Sequence, residues 1–273
     1  MPGFETPGRV GLRVTVAAGA VVVDTWEEPR TEVEVTAVRG DDASQRAAAE
    51  TRIEMTERGD KREIVVRAPK PEGRFGFLSR GPDLHVAIRC PEGADVELST
   101  HSADLEARGT TGEVTVRSAS GDVSLGDARA LWLTTASGDV TAGAIAGPVT
   151  AKGASGDVDI RSVGGPATIN TVSGDIRLGP TDDTVAVNTV SGDVELGATG
   201  GAVRVSAVSG DVDVATRPGL ALWIDAQSVS GTMRSELEVA DLPAADAGES
   251  PVELRVRTVS GDVRISRATS RVA

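Results

Sequence analysis

Aromatic side chains are nearly missing from this chain, which has three Phe, three Trp and no Tyr among 273 residues. Globular cores draw much of their buried area from rings, so the shortage excludes an ordinary aromatic-centred core and requires aliphatic side chains buried in some repetitive way. Cysteine is reduced to Cys90, which excludes an internal disulfide and suits a reducing compartment. Positive charge is scarce too. With 28 basic against 41 acidic side chains the formal charge is −13, which argues against nucleic acid as a partner and against charge-driven docking on an anionic membrane. No stretch approaches the roughly 18 apolar residues of a membrane span. Met1 to Val10 shows no basic start leading into an apolar run, the mark of a secretory signal. A cytoplasmic protein is the expectation.

What the chain does have is glycine, 32 of 273 residues or about 12%, against roughly 7% in ordinary proteins. Much of it sits in one tripeptide. Ser-Gly-Asp begins at Ser120, Ser137, Ser155, Ser173, Ser191, Ser209 and Ser260, with Ser-Gly-Thr at Ser230 and Ser-Ala-Asp at Ser102. Spacings of 18 dominate, as from Ser155 to Ser173, Ser191 and Ser209, and repetition at a fixed period signals a repeat architecture.

Alignment on the Ser gives each column a task. Six and four residues earlier stand apolar pairs such as Val149/Ala151, Val185/Val187, Val203/Val205 and Leu254/Val256. After the Asp a second pair follows, as in Val158/Ile160, Ile176/Leu178, Val194/Leu196 and Val263/Ile265. Polar or variable residues lie between them, and such period-two alternation is a strand with one buried face. The parity shifts across the Gly, where the chain can turn or bulge without a Cβ penalty. Each turn is therefore strand, Gly corner, strand and loop, and stacked turns pair in parallel about 4.8 Å apart. The expectation is an all-β fold, a parallel β-solenoid of about nine 18-residue turns, its handedness open, over residues 83–273. Ser or Thr two residues before the motif Ser suits a narrow corner.

Residues 1–82 repeat the plan in degenerate form. Leu12 and Val14 precede Ala18-Gly19, and Val33 and Val35 precede Arg39-Gly40-Asp41. Residues 43–50 read as a short helix, with strands around 52–56, 63–67 and 84–89. This segment is expected to cap the solenoid, whose bare end strands would template aggregation.

The Asp column, including Asp122, Asp139, Asp157, Asp175, Asp193 and Asp211, forms a ladder of carboxylates. Unit charges at that spacing repel by about 0.9 kcal/mol even in water. Hydrogen bonding of each Asp to a backbone N–H at its own corner is the favoured reading. Calcium is the alternative, and it is disfavoured because a calcium β-roll carries two Gly-Gly-x-Gly-x-Asp nonapeptides per coil. No hexapeptide period points to an acyltransferase. Trp26, Trp132 and Trp223 are too far apart to suggest a sugar-binding track, so a carbohydrate-binding adhesin or carbohydrate-active enzyme is a third reading. His101, Ser102 and Asp104 belong to a repeated column, so position explains them better than nucleophilic catalysis. No enzyme activity and no cofactor are expected.

Two irregular segments are candidates for contact with a protein partner. Residues 69–83 hold Phe75 and Phe77, and the insert 236–250 holds Leu237 and Leu242 among carboxylates. The short tail after Ser266 leaves a last edge on which two copies could stack end to end.

The repeated Val-Ser-Gly-Asp-Val/Ile corners, the Ala-rich helix before them and the Pro91-Glu92-Gly93 connection resemble a bacterial family of β-strand-repeat proteins called toastrack, labelled a domain of unknown function or "putative adhesin". The resemblance implies a β-solenoid without known catalysis, in a family sometimes linked to cell-envelope stress signalling. It supplies no site residues. The expected function is a non-enzymatic scaffold or protein-interaction module.

Overall fold

The computed structural model describes residues 2–58, 61–69, 82–237 and 251–268, and among them lie 21 strands and one helix. The chain divides into two compact units, residues 1–143 and 144–273. The expected parallel β-solenoid is found, its strands stacking in parallel register. No helix among the described residues is long and apolar enough to cross a membrane.

The first unit contains β1 (Gly3–Glu5), β2 (Val10–Trp26), β3 (Arg30–Ala37), α1 (Asp42–Glu50), β4 (Arg52–Arg58), β5 (Lys61–Arg67), β6 (Asp83–Pro91), β7 (Asp95–Arg117), β8 (Val123–Thr134) and the start of β9 (Val140–Ile145). Strand β2 is a full coil in itself. It bends at Gly19 (φ +113) and pairs in parallel with β7 in the register the repeat requires, Leu12 with Val96, Val14 with Leu98 and Val21 with Leu105. Its free sides meet β5 and β6 in parallel, and β4 and β3 then close those sheets antiparallel.

Val33 and Val35 thus belong to a strand that folds back on β6 and do not form the extra turn expected from Arg39-Gly40-Asp41. Asp41 instead caps α1. Its carboxylate accepts the Ser44 N–H at 2.7 Å, and this bond holds its pKa below the ordinary value. An Ala-rich run after an acidic residue favours a capped helix over another corner. Cys90 is buried in β6, and desolvation, with the nearby charge of Asp24, pushes its thiol up to about 12, so it remains a protonated apolar side chain.

The second unit contains β10 (Val149–Lys152), β11 (Val158–Val163), β12 (Ala167–Asn170), β13 (Ile176–Leu178), β14 (Val185–Asn188), β15 (Val194–Thr199), β16 (Val203–Ser206), β17 (Val212–Thr216), β18 (Leu222–Ser230), β19 (Met233–Ser235), β20 (Val252–Ser260) and β21 (Val263–Arg267). Like stacks on like. On one wall Ala167, Val185, Val203 and Leu254 align, and on the other Ile176, Val194, Val212 and Val263. All of these are at most 2% exposed, and full burial of each Val, Leu or Ile stabilises by about 1.5–3 kcal/mol. Branched aliphatics fill the narrow space between two pleated walls, which is why rings are dispensable.

Chain order and stacking order part company at the end of this unit. The coil of β20 and β21 stacks directly on β16 and β17, while β18 and β19 lie outside it. The terminal coil is therefore Leu222–Ser235, and it is not the C-terminal coil that the sequence order suggests. The inward residues explain the exchange. Leu254, Val256, Val263 and Ile265 are large enough to fill a slot covered on both sides, whereas Ile224, Ala226, Met233 and Ser235 offer less to bury and occupy the position covered on one side only.

Candidate functional site

The Gly of each corner creates the site's geometry. Gly174, Gly192 and Gly210 have φ of +118, +120 and +126, which reverses the chain and turns the next residue, Asp, outward. Each Asp then receives a hydrogen bond from the following coil. Asp122 N donates to Asp104 Oδ1 and Asp139 N to Asp122 Oδ1, both at 2.9 Å, in the first unit. In the second, the amides of Asp175, Asp193, Asp211 and Asp262 donate to the carboxylates of Asp157, Asp175, Asp193 and Asp211 at 2.8–2.9 Å.

This differs from the own-corner bond expected from an Asx turn. Stacking places the next coil's N–H within reach, so the ladder joins coils to one another. A hydrogen bond to a charged acceptor contributes about 1.5–3 kcal/mol, against about 0.9 kcal/mol for the repulsion between neighbours at the dielectric of water. The ladder is favourable on balance. It ends at Thr232, whose N–H donates to Asp262 Oδ1 at 2.7 Å. Among the described residues the terminal coil has no further coil to hold, and at that position the sequence has Thr.

The Ser/Thr column acts within each coil instead. The hydroxyls of Ser118, Thr135, Thr171 and Thr189 donate to the carbonyl of the motif Ser two residues on, at 2.6–3.2 Å. Beside the ladder in the second unit runs a groove of about 430 Å³, bordered on its other side by an outward column that includes Arg177, Glu195, Asp213 and Arg264. These charges answer one another. Arg177 reaches Asp175 and Glu195, and Arg264 reaches Asp213 and Glu236.

Among the described residues no cluster of His, Cys, Asp and Glu is arranged to hold a metal ion. Because a backbone N–H of the following coil already engages the carboxylates of Asp157, Asp175, Asp193 and Asp211, the melting temperature is expected to be the same in EDTA and in millimolar calcium. A rise of several degrees with calcium would overturn this. His101 is exposed, and Asp104, three residues on, is engaged by the Asp122 amide. Trp26 and Trp132 lie on β2 and β8 of the first unit and Trp223 on β18 of the second.

Of the partner-contact candidates, Phe75, Phe77 and Leu242 lie outside the described residues, and Leu237 is half-buried just beyond β19. A different set stands out. Val172, Val190, Val208, Val259 and Val229, the residues before the motif Ser in successive coils, are 52, 47, 48, 49 and 82% exposed. They follow the stacking order and cover roughly 19 Å at the coil spacing. One exposed valine needs no explanation, but a continuous column of five does. Its signal was present in the sequence as an apolar residue recurring out of phase with the inward pairs.

A family model described as Toastrack DUF4097 matches residues 14–266. No curated protein matches the chain. Among solved structures it is similar to a "putative adhesin" from Parabacteroides distasonis, with 12% identity, coverage of 97% of this chain and 95% of that one, and a TM-score of 0.39. A second "putative adhesin", from Bacteroides fragilis, has 10% identity, coverage of 97% and 95%, and a TM-score of 0.38.

Proposed function

The chain belongs to the Toastrack DUF4097 family, and from that premise we propose that it is a non-enzymatic β-solenoid scaffold that binds a protein partner along its exposed valine column. The observation that carries this reading is the alignment of Val172, Val190, Val208, Val259 and Val229 on one corner of the second unit. Stacked coils hold these side chains at a fixed spacing, so docking an apolar ridge of a partner would cost little ordering entropy. The neighbouring motif Ser backbones are engaged in coil-to-coil bonds, as in Ser191 N to Val172 O and Ser209 N to Val190 O. The carbonyls of Val172, Val190 and Val208 are thus engaged along the stack, and the valine side chains are left for apolar contact.

The partner's setting, on this reading, is bacterial cell-envelope stress signalling, which the family resemblance implies. A cytoplasmic location is part of the same proposal and rests on the single buried thiol.

The test compares the parent with Val190→Lys/Val208→Lys, both as full-length chains immobilised under identical conditions. These side chains are half exposed, so the variant should melt within about 1–2 °C of the parent. A partner that binds through the column should be retained by the parent and reduced at least about tenfold on the variant, then shown to bind as a purified protein. Equal retention of every protein on both would overturn the reading.

A further inference from the structure

The terminal coil presents a strand edge. Strand β18 pairs with β20 alone and β19 with β21 alone. Their other edges have no strand beside them among the described residues. The slot end is apolar there, with Ile224 38% and Met233 53% exposed, and Trp223, 48% exposed, lies on the outward side of the same strand. Natural sheets blunt such edges with charge, proline or brevity. The edge strands of the first unit follow that rule, since β4 carries Arg52, Glu54, Glu57 and Arg58 and β1 has three residues. Strand β18 has nine residues without Pro, Lys or Arg. Its one charge, Asp225, is turned to Arg255 and Arg257 of the coil beneath, and Trp223 lies against Arg255.

We propose that this edge is the seat of a second copy of the chain, docked two-fold on its own terminal coil. Three features favour a copy over other occupants. Every inner coil is covered by another coil of the same outline, so the best complement to a coil edge is a coil edge. Between Leu222 and Ser235 the charges are Asp225 and Arg234, which cancel, so two such edges approach without the repulsion expected of a chain with net charge −13. The ladder also sets the direction. Continuation in parallel would need a carboxylate at the terminal corner to accept the next coil's N–H, and Thr232 has none. The strands of the second copy therefore run antiparallel to β18 and β19. That relation is a two-fold axis, and it closes at two copies without growing into a fibre. The column ends at Val229 on β18, but the edge proposal does not rest on the valine-column reading.

Sedimentation or light scattering of the full-length chain should show a species of twice the 27.9 kDa chain mass that dissociates on dilution. In hydrogen exchange, amides of 222–235 should gain protection as concentration rises. Ile224→Lys/Met233→Lys places inward-pointing charges at the edge and should weaken association at least about tenfold, with an unchanged far-UV spectrum. A monomer at all concentrations would overturn the proposal. So would concentration-independent protection of 222–235, which would mean that the chain covers its own edge, or a dimer that persists in the folded double variant. The exchange measurement on the parent decides the matter even if the variant does not fold.

Discussion

Val187→Asp is expected to lower the melting temperature by about 10 °C or more, whereas Ala186→Asp, one residue away, should shift it by only a few degrees. Val187 is 1% exposed and stacks in register between Ile169 and Val205. Its neighbours in the column are aliphatic, so an aspartate there has no cation or donor to meet and must be buried charged or protonated without a partner. The cost is about 4 kcal/mol or more. In a repeat fold each coil is stabilised mainly by its two neighbours, so the loss extends to both adjacent interfaces. Ala186 lies on the outward side of the same strand, half-buried, and a carboxylate there stays in water. Thermal melts of the two variants check the inward column directly, and equal melting temperatures would contradict it.

Gly192→Ala should be nearly as damaging, costing about 3 kcal/mol, although it adds a single methyl group. Two independent requirements meet at this residue. Its φ of +120 lies where a side chain strains the backbone. A Cβ built on it would also overlap the carbonyl of Gly174 in the preceding coil. Moving the chain to relieve that overlap would pull Asp193 N away from Asp175 Oδ1, a 2.9 Å bond. Gly40→Ala is the control. A Cβ there meets nothing within 4 Å and its φ is not in the left-handed range, so its melting temperature should stay within about 1–2 °C of the parent. If both glycine variants behaved alike, the corner geometry would not be what holds adjacent coils in place.

These two positions show what could be read before folding. Apolar residues alternating around Val187 mark it as inward. The change in parity of that alternation across Gly192 marks it as a corner. Both signals are local, lying within a few residues on either side and recurring at the repeat period. The valine column is equally visible as a recurring residue out of phase with the core, but its exposure is a property of the fold. Asp193 illustrates the opposite case. Its type and spacing announced a ladder, yet the donor it accepts from belongs to the next coil, 18 residues away in the chain, and only stacking identifies that donor.

Arg39-Gly40-Asp41 shows how a local signal can mislead. The apolar offsets matched a corner, but Ala47 and its neighbours made a capped helix the better use of Asp41, and β3 turned back to pair with β6. Competition between two local structures was settled by what each could pack against.

By itself the sequence determined the coil: its strands, its Gly corner, its aliphatic walls and its 18-residue period, because these follow from backbone sterics and side-chain alternation within one repeat. Tertiary structure alone decided the order in which the coils stack. The coil of β20 and β21 lies inside that of β18 and β19 because larger aliphatics gain more from a slot closed on both sides, a comparison no single repeat contains. That order makes Thr232 the end of the ladder and leaves Trp223, Ile224 and Met233 at an open edge.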